Sequence, residues 1–112
     1  MELETSTLEN GITKVSLSGE LDIDGALEID DEFKEIAEAN KNLVVDLSDV
    51  SFIASLGIRT LITAAKQTSS NGGKLVILSP QPNVEKVLRE SRVDTLIPII
   101  DDISAVDTVF VS

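Results

Sequence analysis

One hydroxyl group, that of Ser55, stands where chemistry is easiest to place in this chain. It follows the apolar run Leu43-Val44-Val45-Asp46-Leu47 and opens a stretch with helical spacing of apolar residues. A hydroxyl at a helix start is an ordinary N-cap, accepting a hydrogen bond from a first-turn N–H. The same position suits an attached phosphate, which would meet free N–H groups and the positive end of the helix dipole. On the residues alone, cap and modification site are both open.

Other chemistry is largely excluded. The chain of 112 residues has no histidine and no cysteine. Ser-His and Cys-His nucleophilic pairs, thiolate metal sites and disulfides are therefore impossible. Gly72-Gly73-Lys74 superficially resembles part of a phosphate loop, but it follows a helix and precedes a strand, the reverse of a P-loop; it reads as a helix stop. Asp22, Asp24, Asp30 and Asp31 lack the spacing of a calcium loop and read as caps and solvated surface. Asp46 and Asp49 flank a strand end, where Asp commonly forms turns. No catalytic residue, metal site or cofactor is expected. The net charge of -11 argues against binding nucleic acid or an anionic membrane, and suits a basic or mixed protein surface.

The elements that must position Ser55 follow from the apolar pattern. An apolar fraction of 42% is ordinary for a folded core, and 112 residues suit one domain, taken as 1–112. No apolar run reaches the roughly 20 residues of a membrane helix. The start, Met1-Glu2-Leu3-Glu4, lacks a signal-peptide core, so a cytoplasmic location is expected.

Glu2 to Leu8 and Ile12 to Ser18 read as strands joined at Asn10-Gly11, a hairpin signal of type I′; Gly19 is expected to end the second. Ala26, Ile29, Phe33, Ile36 and Ala37 predict a helix over Asp24 to Ala39, with Asp24 as N-cap and an acidic outer face. Leu43 to Leu47 reads as a buried strand. Ser55 to Ser70 reads as a helix with Ile58, Leu61, Ile62 and Ala65 inward, stopped by Asn71-Gly72-Gly73. Leu75 to Leu78 is the next buried strand, parallel to the last through a right-handed crossover. A short helix carries Val84, Val87 and Leu88. Leu96 to Ile100 reads as a strand that Pro98 confines to an edge. Asp101 or Asp102 caps a last helix with Ile103, Val106 and Phe110 inward. The sum is an α/β domain, a small mixed sheet packed with about four helices.

Three motifs carry a resemblance. Gly19-Glu20-Leu21-Asp22, Leu43-Val44-Val45-Asp46-Leu47-Ser48-Asp49-Val50 and Ser51-Phe52-Ile53-Ala54-Ser55-Leu56-Gly57-Ile58 together resemble the STAS-domain family, specifically its anti-sigma factor antagonists. Gly72-Gly73-Lys74-Leu75 continues in register as that family's turn into the next strand. The resemblance covers residues 12–74. It implies a non-enzymatic regulator. Its unphosphorylated form would bind an anti-sigma factor that is also a serine kinase, releasing the sigma factor.

By position the phosphoacceptor is Ser55, which a PP2C-type phosphatase would restore. Asp22 matches an acidic residue near the acceptor. Ala54 stands where the family usually has Asp, and Leu56 where it has a small hydroxyl. The expected docking face comprises Asp22, Ile23, Asp24, Ala54, Ser55, Leu56, Ile58 and Arg59, with Arg59 one turn beyond Ser55. The resemblance implies a monomer. Alternative roles on the same fold are a scaffold subunit of a signalling complex and a small subunit of a lipid-transport ATPase. A nucleotide-binding domain is the alternative from another class, and no phosphate loop supports it.

Overall fold

Two long parallel strands dominate the architecture. The computed structural model describes residues 1–8 and 11–110. Strand β1 (Glu2–Thr7) pairs antiparallel with β2 (Thr13–Leu21), in the register Leu3↔Leu17 and Thr5↔Val15. The hairpin is as expected, and the Leu8 N–H donates to the Ile12 carbonyl at 2.7 Å to close it. Asn10, on which the type I′ turn depended, lies outside the described residues.

From β2 onward every pairing is parallel. Helix α1 (Ile23–Ala39) leads to β3 (Asn42–Ile53), and α2 (Ser55–Ser70) leads to β4 (Lys74–Leu78). Helix α3 (Pro82–Glu90) and a 3-10 turn over Val93–Thr95 lead to β5 (Ile99–Ile100). A second 3-10 turn over Ile103–Ala105 runs into α4 (Val106–Phe110). The sheet order is β1-β2-β3-β4-β5.

The chain follows this path because one sheet face is covered by amphipathic helices. Val15 and Leu17 of β2, Val45 and Leu47 of β3, and Leu75 and Ile77 of β4 share a core with Phe33 of α1, Leu61 of α2 and Leu88 of α3. Val44, Leu78, Ile12 and Val106 form a second, smaller core on the opposite face, beneath α4. The central strands are thus buried on both sides, which is why their sequences run apolar without alternation. The Lys74 ammonium ties α4 down by donating to the Val109 carbonyl at 2.9 Å.

Several expectations are corrected. Strand β2 does not end at Gly19; it continues to Leu21, with register shifts against β3 and φ +115° at Gly19, a backbone state that favours glycine. Strand β3 runs to Ile53, six residues beyond Leu47, because the extended β2 pairs with it to the end. Asp24 is not the cap of α1; Asp22 is, its Oδ1 accepting from the Gly25 N–H at 2.8 Å.

The Leu96 to Ile100 strand shrinks to Ile99–Ile100, since the Leu96 and Ile97 N–H groups donate to the Val93 carbonyl at 2.9 and 2.8 Å, closing the 3-10 turn over Val93–Thr95 and leaving Leu96 exposed. Ile103 points outward, 45% exposed, although Asp102 does cap that turn, accepting from the Ser104 N–H at 3.0 Å. The buried face of α2 is centred on Gly57, Thr60, Leu61, Ala64 and Thr68, so Ile58, Ile62 and Ala65 flank it, half-buried.

Candidate functional site

Strands β2 and β3 end in step, Leu21 opposite Ile53. Each then passes through one residue into a helix, Asp22 into α1 and Ala54 into α2. The Ala54 N–H donates to the Leu21 carbonyl at 2.9 Å, which sets the two helix starts side by side. The sequence-predicted residues Asp22, Ile23, Asp24, Ala54, Ser55 and Leu56 are gathered there, at the end of the sheet where the parallel strands finish.

Two glycines make this close approach possible. A Cβ on Gly57 would stand 2.7 Å from both the Leu21 carbonyl oxygen and Leu21 Cγ. A Cβ on Gly25 would overlap the Glu20 carbonyl oxygen. Each helix therefore rests its first turn on the end of β2, at contact distances that only glycine permits.

The two helix starts differ electrically. At α1 the Asp22 carboxylate caps the first turn, and Asp24 adds a second negative charge within it. At α2 the N-cap position is Ala54, which has no capping side chain, and the first turn holds no acidic residue. Ser55 is thus not a cap; it is the first helical residue, exposed to solvent. No side chain caps the first-turn N–H groups of α2, and no acidic residue within that turn offsets the positive end of its dipole. Arg59 is exposed one turn further on. Leu56 and Ile58 are half-buried against the main core, whereas Ile23 is 61% exposed.

The last part of β3 is held by residues the sequence reading passed over. Strand β4 pairs with β3 only as far as Asp46↔Leu78. Beyond that point the Gln81 side-chain amide donates to the Ser48 carbonyl at 2.9 Å, and that of Asn83 to the Ser51 carbonyl at 2.7 Å. These amides stand in for a missing strand and keep the approach to Ser55 extended. Asp46 and Asp49 stand in different surroundings. Asp46 Oδ1 accepts from the Ser48 N–H at 2.9 Å, its Oδ2 lies 3.4 Å from the Lys14 ammonium, and Asp49 is solvent-exposed. Among the described residues no cluster of acidic side chains could hold a metal ion.

Comparison with known proteins agrees with this architecture. The model of the STAS domain matches residues 5–106. The chain belongs to the STAS-domain family. Within this STAS domain, 65 residues are 40% identical to a Thermotoga neapolitana protein named as an anti-sigma factor antagonist, covering 58% of this chain. The matched stretch spans 57% of that relative's own length, so the chain spans less than two thirds of the curated relative it matches.

A crystal structure from Thermotoga maritima, described as that of an anti-sigma factor antagonist, superposes with a TM-score of 0.84 at 25% identity, over 98% of this chain and 95% of that one. The Bacillus cell fate determinant SpoIIAA in its phosphorylated form shares the fold at a TM-score of 0.71 and 19% identity, over 96% of this chain and 99% of that one. No helix among the described residues is long and apolar enough to cross a membrane.

Proposed function

We propose that this STAS domain, acting over residues 1–112, is an anti-sigma factor antagonist whose binding to its partner is ended by phosphorylation of Ser55. The observation that carries the reading is the exposed Ser55 hydroxyl at the uncapped start of α2. A phosphate there adds about -1.5 to -2 charges at pH 7. The free N–H groups and the dipole offset that charge within the domain, so the fold survives.

A docked partner is affected differently. The surface around Ser55 already carries Asp22 and Asp24, and a partner packed on it must exclude water. Added negative charge and bulk at its centre oppose docking, at a cost of several kcal/mol if the partner's facing groups are acidic. In this mechanism Ile23, Ala54, Leu56 and Arg59 join Ser55, Asp22 and Asp24 in contact with the partner. Ile58 holds the helix start from beneath. The partner is an anti-sigma factor with serine-kinase activity, a PP2C-type phosphatase resets the switch, and the antagonist acts as a monomer without catalysis of its own. The existence of a phosphorylated form of SpoIIAA on the same fold supports the reading.

The test is affinity capture with wild type, Ser55→Ala and Ser55→Asp as baits. The expected result is an anti-sigma-type serine kinase retained by the first two and lost by the third. Equal retention by all three would overturn the phosphoswitch. A transporter ATPase or a scaffold as the sole prey would replace the antagonist role.

A further inference from the structure

A phosphate on Ser55 would enter an acidic part of the molecule. The elements that meet at the start of α2 carry Glu20 on β2, Asp49 on β3, and Asp22, Asp24 and Asp30 on α1. The sequence supplies little to offset them: between Lys41 and Lys66 the sole cation is Arg59. Ala54, at the N-cap of α2, adds no carboxylate of its own, and neither does the first turn. How the added charge is met within the domain therefore turns on Arg59.

Arg59 lies four residues after Ser55 on α2, and both are exposed. Residues at that spacing are neighbours on a helix surface, their Cβ atoms about 5–6 Å apart. Helical side chains lean toward the N-terminus, which carries a residue at this position back over the turn that holds Ser55. The guanidinium is also uncommitted. Arg59 borders a cavity of about 260 Å³ between α1 and α2, with Leu27 and Asp30 on the facing wall. Among the described residues it nonetheless forms no ion pair, with Asp30 or with any other carboxylate.

We propose that Arg59 is the internal partner of a phosphate on Ser55, closing an arginine–phosphate pair along α2. The proposal rests on the phosphoswitch reading above and adds what the switch does to Arg59. On modification the Ser55 Oγ forms a bond to the γ-phosphorus of a nucleoside triphosphate, the nucleoside diphosphate leaves, and the hydroxyl proton passes to a base of the kinase. The guanidinium fork then takes two phosphate oxygens, a match that arginine makes better than lysine. Two changes reach the docking surface together. A negative group appears at Ser55, and the one cation of that surface is withdrawn from the incoming partner. The partner loses a positive contact as well as meeting a negative one.

The test uses the full chain with phosphoserine incorporated at position 55 and follows the second ionisation of the phosphate by ³¹P NMR against pH. An ordinary phosphoserine has that pKa at about 6. A cation beside the phosphate favours the dianion and lowers the pKa, so removing the cation raises it. In Arg59→Ala the value is expected about 0.5 higher than in wild type, with Arg59→Lys between the two. The first-turn N–H groups of α2 act equally in all three, so the difference reports Arg59. Lys86 is the control, because α3 also begins near this end of β3, where the Asn83 amide donates to the Ser51 carbonyl at 2.7 Å. Lys86→Ala removes the same charge and is expected to leave the value unchanged. Arg59 and Lys86 are both exposed, so neither substitution disturbs the core. Equal values in wild type and Arg59→Ala would overturn the pair, as would an equal rise in Lys86→Ala. Either result leaves the phosphoswitch standing, since partner capture with Ser55→Asp decides that separately.

Discussion

Gly57 of α2 sits against Leu21 of β2 so closely that an added Cβ would lie 2.7 Å from the Leu21 carbonyl oxygen. That same carbonyl accepts the Ala54 N–H at 2.9 Å. One peptide group at the end of β2 thus positions both the entry to α2 and its first turn, and with them Ser55.

Gly57→Ala is accordingly expected to destabilise the domain by about 1–3 kcal/mol, the usual cost of overpacking where backbone is the obstacle. Urea denaturation followed by circular dichroism would show it. An unchanged midpoint would mean that α2 can lift from β2 without loss, and that its start is not rigidly set.

Asp22 and Asp24 are expected to behave differently despite their proximity. Asp22→Ala removes the carboxylate that accepts from the Gly25 N–H at 2.8 Å and should cost about 1 kcal/mol. Asp24→Ala removes an exposed charge that makes no cap, and should stay within about 0.5 kcal/mol. Thermal melts of the two variants, compared directly, would reverse this assignment if Asp24→Ala proved the more damaging.

Asn71 joins the far ends of α1 and α2. Its side-chain amide donates to the Ala37 carbonyl at 2.9 Å and to the Asn40 carbonyl at 2.8 Å. Asn71→Ala should cost about 1–3 kcal/mol, because it leaves carbonyls at the end of α1 without their donor. Hydrogen exchange would place the loss in the last turn of α1; a loss confined to α2 would contradict the cross-link.

Leu56 and Arg59 divide the proposed contact surface into two kinds of residue. Leu56 is half-buried against the core, so Leu56→Ala is expected to lower stability by about 1 kcal/mol as well as weaken partner binding. Arg59 is exposed, and Arg59→Ala should leave stability within about 0.5 kcal/mol. Calorimetric binding beside a thermal melt separates the two effects. A binding loss in Arg59→Ala with an unchanged melt would assign that residue to the interface.

Much of this arrangement is readable from local sequence. The helical spacing of Ala26, Ile29, Phe33 and Ala37 predicts α1, and all four are buried in the core. The apolar runs at Leu43-Val44-Val45 and Leu75-Val76-Ile77-Leu78 predict strands covered on both faces, and both are so covered. Asn71-Gly72-Gly73 marks the end of α2, as the structure has it. These signals are legible because each depends on neighbours within a few residues.

The corrected readings share another cause. Asp24 has the residue type of a cap, but a capping preference does not say where the preceding strand will stop, and Asp22 takes the position. Ser48 to Ile53 carry too few apolar residues to announce a strand. They are held extended by β2 on one side and by the Gln81 and Asn83 amides on the other, partners about 30 residues distant in the chain. Ile103 has the spacing of a core residue, yet the turn capped by Asp102 directs it to solvent.

By itself, then, the sequence determined the alternation of strands and helices, the absence of thiol and imidazole chemistry, the acidic character of α1 and the family motifs around Ser55. Only the tertiary structure decided that Ser55 follows an uncapped helix start rather than serving as the cap. It alone set that start beside Asp22, and opened a groove between α1 and α2 with Leu27 and Asp30 on its wall. Composition and periodicity are properties of a residue and its near neighbours. The site is made by the parallel pairing of β2 with β3, which joins segments separated by the whole of α1.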